Sequence, residues 1–110
     1  MIKVLIQKDS SGKIRSFTMD GHANFSKHGK DIVCAGASAV SFGTLNAIMS
    51  ITKVEPIIEQ GDDGGYIKCV FPNDLPESVE EQVQLLLEGM IVSLQTIERD
   101  YGKYIKITFQ

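Results

Sequence analysis

Hydrophobic and polar positions along the chain change period in an order that describes a small mixed domain. Ile2, Val4 and Ile6 alternate with Lys3, Leu5 and Gln7, the two-residue period of a strand with one strongly apolar face. Asp9-Ser10-Ser11-Gly12 is a turn sequence, and Lys13 to Met19 returns antiparallel to close a hairpin. Asp20 to Lys30 is polar and irregular, with both histidines in it, and a loop of that length either does something or moves. A first helix follows from about Ile32 to Ser50. Its stretch Ala35-Gly36-Ala37-Ser38-Ala39 is almost without bulk and predicts close packing against another backbone or a second helix. Val54 to Gln60 reads as a third strand, with Pro56 marking an edge or a bulge. Beyond the turn Gly61-Asp62-Asp63-Gly64-Gly65, Tyr66 to Phe71 is a fourth strand with Ile67, Cys69 and Phe71 on one face. A second helix opens near Ser78, which suits a capping box with Glu81. It runs to about Asp100 with Val79, Val83, Leu86, Met90, Leu94, Ile97 and Tyr101 at spacings of four and three. Gly102 ends it, and Lys103 to Phe109 alternates as a last strand.

The order ββαββαβ predicts an α+β fold: a mainly antiparallel sheet with two covering helices. Residues 1–110 suffice for a single domain with its own core. The second helix also carries Leu85, Leu87, Ile91 and Val92 outside its main stripe. A self-complementary homodimer covers that excess, with Leu87 or Ile91 facing the partner; the alternative is a deeply buried helix in a monomer.

Composition narrows the function. Hydrophobic residues make up 43% and charged residues 23%, which excludes disorder. No stretch approaches the length of a membrane span, and Met1 to Gln7 reads as a strand, not a signal core. The expected compartment is the cytoplasm, where Cys34 and Cys69 stay reduced. The net charge of −3 and the lack of a basic run argue against direct nucleic-acid binding. No His, Cys and carboxylate cluster has metal-ligand spacing and no Gly-rich phosphate loop is present, so neither a metal nor a cofactor is expected.

The candidate chemistry lies in Gly29-Lys30-Asp31-Ile32-Val33-Cys34-Ala35-Gly36-Ala37-Ser38, with His22 upstream. Asp31 has the chemistry of a helix N-cap, which puts Cys34 in the first turn, where unpaired N–H groups and the macrodipole favour a negative sulfur. The thiolate is the nucleophile, and a nearby imidazole can accept the thiol proton and return one to a leaving amine. The competing reading is an ordinary core cysteine beside a surface histidine. Gly21 and Ala23 flank His22 and suggest a tight backbone path that positions it; His28, between Lys27 and Gly29, is the rival base. Asp31 either caps the helix or orients a histidine, and the two roles are compatible. A carboxylate near the thiol opposes thiolate formation unless it pairs with the histidine. Ser38, on the face of Cys34, either hydrogen-bonds near the thiol or histidine or is chosen for close packing. Cys69, between Ile67 and Phe71 on a strand face, is core filling.

Gly21-His22-Ala23 followed by Gly29 to Ser38 resembles the ribosomal-processing cysteine protease family, Prp. The likeness extends over nearly the whole length, including the hairpin, the small-residue helix and Ser93-Leu94-Gln95-Thr96-Ile97. The resemblance implies an α+β homodimer with Cys34 as nucleophile and His22 as base. It also implies a substrate: a bacterial large-subunit ribosomal protein with an N-terminal extension that is removed. The first helix end, including the N–H of Cys34, is then a candidate oxyanion donor. The segment from Ala23 to Lys30, with Gly21 before it and Gly29 near its end, is a candidate lid or substrate-binding loop. Two alternatives stand beside this: a non-catalytic accessory protein of ribosome assembly that binds a ribosomal protein, and a thiol enzyme acting on a small acyl substrate.

Overall fold

The computed structural model describes residues 1–27, 30–62 and 64–110. The elements run β1 (Ile2–Lys8), β2 (Ile14–Asp20), α1 (Ile32–Ala47) with a π-helical turn (Ile48–Thr52), β3 (Ile57–Gln60), β4 (Tyr66–Val70), α2 (Glu77–Tyr101) and β5 (Ile105–Phe109). The fold is α+β. Its five-stranded sheet has the order β3-β4-β2-β1-β5. The pairs β1–β2, β2–β4 and β3–β4 are antiparallel, while β5 lies parallel to β1.

Register explains the core. Ile6 lies opposite Phe17 and Phe17 opposite Cys69, and the next row is Val4, Met19 and Ile67. All six side chains are buried, together with Ile105 and Ile107 of β5. Lys3, Lys106 and Thr108 alternate with them and are exposed, as the two-residue period requires.

α1 buries Val33, Ala37, Ser41 and Leu45. The small residues divide: Ala37 is fully buried, and Gly36 leaves only ordinary contact distance to Ile97 Cδ1 of α2, 3.6 Å from where a Cβ would stand. Ala35, Ser38 and Ala39 are exposed. Lys53, at φ 63°, turns the chain out of the π-helical turn. The segment Ile32–Thr52 has 21 residues and a mean hydropathy of 1.6, enough by length and composition to cross a membrane. That corrects the reading that no stretch approaches such a length. Isoleucine, valine, leucine and alanine raise its hydropathy, and here it packs as a core helix with Val33, Ala37, Leu45 and Ile48 buried.

Two expectations for α2 also change. Its N-cap is Pro76, with no side-chain cap, so the Ser78–Glu81 capping box does not form; Glu77 and Glu80 in the first turn meet the positive helix end instead. The buried stripe is Val83, Leu87, Met90, Ile91 and Leu94, with Leu86 only half-buried. Leu87 and Ile91 are therefore core residues of one chain, not partner-facing ones. Gln84, on the same stripe, accepts from the Ile14 N–H at 2.8 Å and donates to the Ile14 carbonyl at 2.9 Å, satisfying the start of β2 as a neighbouring strand would.

β3 starts at Ile57, later than expected, because Pro56 cannot supply a ladder N–H. β3 is the sheet edge next to β4.

Candidate active site

The site forms where the ends of β1, β2, β3 and β4 meet the N-terminus of α1. Asp31 makes that N-terminus. Its Oδ1 accepts the N–H groups of Val33 and Cys34, both at 3.0 Å. Its Oδ2 reaches back to the preceding loop and accepts from Phe25 at 2.8 Å and Ser26 at 3.2 Å. Burial opposes the charge on Asp31, but the backbone donors of Cys34, Ser26, Phe25 and Val33 outweigh it and hold the carboxyl below its ordinary value. One carboxylate thus starts the helix and fastens the loop to it.

This cap revises one expectation. The Cys34 N–H donates to Asp31, so it is committed to the cap and is not an open oxyanion donor. Cys34 itself is partly exposed. Its Sγ accepts the N–H of Ala23 at 3.3 Å, which places a donor on the sulfur from the loop side. Ala23 is buried. Nothing in residue spacing announces this contact, because it depends on how the loop folds back over the helix end.

Two clefts adjoin Cys34. The first, of about 250 Å³, has Ile2, Met19, Phe42 and Ile67 among its apolar walls, and Gly21, Gly61, Gly64 and Gly65 around it. The second, of about 470 Å³, is lined by Asn24, Ser26, Asp31 and Ala35. His22, Cys34 and Ser38 line both. The histidine, the thiol and the serine one turn along α1 therefore share the wall common to the two clefts. The cleft-wall positions of Phe42 and Tyr66 were not anticipated. Phe42 lies two turns beyond Cys34 on the same side of α1, a spacing that could have revealed it.

Gly21 lines the first cleft with φ +93°, and a Cβ there would collide with the Met1 carbonyl oxygen. Its N–H donates to the Gly65 carbonyl at 2.7 Å. Only glycine meets both demands. The loop expected to be a lid from Ala23 onward is tied over its first part by Ala23, Phe25 and Ser26. His28 and Gly29 lie outside the described residues. Cys69 lines neither cleft: it is fully buried in β4, its thiol pushed up to about 12 by burial.

Comparison with known proteins shows the family and the fold. Residues 1–106 match the family described as cysteine protease Prp. The ribosomal processing cysteine protease Prp of Bacillus subtilis (strain 168) is 48% identical over 108 residues, spanning 98% of this chain and 96% of that one. A crystal structure of an essential ribosomal processing protease Prp from S. aureus, in complex with a covalently linked product peptide, superposes with a TM-score of 0.91 at 42% identity over 100% of both chains. A second S. aureus Prp structure, in complex with a substrate peptide, gives a TM-score of 0.84 at 41% identity, again over 100% of both. This chain belongs to the Prp family of ribosomal processing cysteine proteases.

Proposed function

We propose that the protein is an endopeptidase that removes the N-terminal extension of a bacterial large-subunit ribosomal protein in the cytoplasm, with Cys34 as nucleophile and His22 as general base and acid. The observation that carries this reading is that His22, Cys34 and Ser38 form the wall shared by two clefts at the capped N-terminus of α1. An extended peptide lying across both clefts puts one bond over the sulfur. Cys34 Sγ attacks the scissile carbonyl carbon as its proton passes to His22. His22 gives that proton to the departing amine as the C–N bond breaks. It then takes one from the water that cleaves the thioester and returns it to the released sulfur, freeing the new carboxyl terminus. Asp31 supports the site by holding helix and loop together, and Ser38 supplies a hydroxyl beside the reacting atoms. Gly21 and Ala23 shape the path of His22. No cofactor is required for this chemistry.

The peptide-bound S. aureus relatives support this over a non-catalytic accessory role, since one of them holds its product peptide covalently. The test is mass analysis of an extended ribosomal protein after incubation with the enzyme. The wild type releases the extension. Cys34→Ala releases nothing while keeping its fold, because alanine is well tolerated in a helix. His22→Ala slows release by about 100- to 10,000-fold. Cleavage by Cys34→Ala would remove the thiol from the mechanism.

A second copy of the chain completes the proposed assembly. Leu85 is 70% exposed and Val92 62% exposed on α2, and a homodimer that covers them accounts for apolar surface the monomer leaves in water.

A further inference from the structure

The stretch that carries His22 is fastened on both sides. Before it, the Gly21 N–H donates to the Gly65 carbonyl at 2.7 Å. After it, the Phe25 and Ser26 N–H groups donate to Asp31 Oδ2. Between these points lie His22, Ala23, whose N–H reaches Cys34 Sγ, and Asn24, held at φ 57°. A further tie comes from a side chain. The Phe25 ring meets Tyr104 edge-on, with centroids 5.1 Å apart at 83°, and Tyr101 in the same manner at 5.6 Å and 87°.

The tyrosines stand where the end of α2 meets the sheet. The Tyr104 N–H donates to the Tyr101 carbonyl at 2.8 Å, and the Tyr104 carbonyl accepts from Ile2, the first residue of β1, at 2.8 Å. None of the three rings lines either cleft. Phe25 remains 39% exposed, so burial alone does not account for a large aromatic residue there. Edge-to-face contact, unlike apolar burial, fixes an orientation.

We propose that Phe25 is a positioning residue: docked edge-on against Tyr101 and Tyr104, it sets the backbone of His22 and Ala23 in place against Cys34. The inference rests on the dyad reading above. A loop displaced by a fraction of a residue costs turnover more than substrate binding, since reacting groups must be aligned within a narrow range.

Phe25→Leu keeps apolar bulk and removes the ring, whereas Phe25→Tyr keeps the ring. The expected result for Phe25→Leu is a fall in kcat on the order of 10- to 100-fold with KM nearly unchanged. Phe25→Tyr restores turnover. Tyr104→Leu also lowers kcat, and the double variant Phe25→Leu/Tyr104→Leu is no slower than Phe25→Leu, which already removes the contact with Tyr104. Alkylation of Cys34 by iodoacetamide reads the same displacement without substrate: its rate falls by at least about threefold in Phe25→Leu, as the donor and base are withdrawn from the sulfur. Unreactive Cys69 reports that the fold is intact, and Phe25→Met replaces Phe25→Leu if Cys69 becomes reactive. An unchanged kcat and alkylation rate in the leucine variant overturns the proposal, as does a rise in KM at constant kcat or a multiplicative loss in the double variant. Those outcomes leave the dyad standing. Activity in Cys34→Ala removes the dyad itself, whatever Phe25 does.

Discussion

Cys34 and Cys69 carry the same thiol in opposite settings, one partly exposed at a helix start with a backbone donor on its sulfur, the other sealed between strands. Burial raises the Cys69 pKa from 9.0 to about 12. The folded protein therefore keeps its proton where the unfolded chain has lost it. The stabilisation is fully present below the unfolded value and is lost as pH rises from there towards the folded one. Urea denaturation at about pH 8 and about pH 10 should show a loss of stability that Cys69→Ala reduces. An identical loss in that variant assigns the alkaline sensitivity to other groups. The settings of the cysteines, not their chemistry, were readable from their neighbours: small residues after an N-cap for one, alternating large apolar residues for the other. The Ala23 donor to Cys34 was not, because a hydrogen bond between a loop amide and a side chain depends on a path that residue types do not encode.

At the level of elements, α1 starts where Asp31 predicts, and the same carboxylate binds the loop through its other oxygen. Asp31→Asn separates the two functions. The amide oxygen still caps the helix, but the amide nitrogen is a donor and cannot accept from Phe25 and Ser26. The expected outcome is a modest drop in melting temperature with a much larger drop in kcat, measured on the same preparation. Parallel losses in the two would show that the loop attachment contributes nothing beyond the cap. Because the Asp31 carboxyl is held below its ordinary value, the cap's contribution is present above the unfolded value and lost as pH falls through the folded one. α2 is the contrasting case. Its periodicity was legible, but the buried stripe runs through Leu87 and Ile91, and its start is set by Pro76. A helix of 25 residues offers several apolar lines, and the positions of α1 and the sheet against it select one.

For the whole molecule, the selected stripe decides which α2 residues are available to a partner. Val92→Glu places a charge on exposed surface, so the chain should fold normally while the dimer weakens at micromolar concentration, as sedimentation velocity would record. Leu87→Glu buries an unpaired carboxylate and should unfold the chain instead. A folded, fully dimeric Val92→Glu protein would move the interface away from this part of α2, and a wild type that is monomeric at high concentration would end the dimer proposal.

Local chemistry alone determined the alternating strands, the two helices, the capped turn holding Cys34, and the loop carrying His22. Each follows from residue type and short-range period: a two-residue alternation, a 3.6-residue stripe, an acceptor before a run of small residues. Only the tertiary structure decided that β5 lies parallel beside β1, that Leu87 and Ile91 belong to the core, and that the Cys34 N–H is spent on the cap. It also brought Phe25 onto Tyr101 and Tyr104, rings separated from it by most of the chain. Such contacts join segments distant in sequence, and their geometry is set by the packing of the whole fold and not by any one stretch of it.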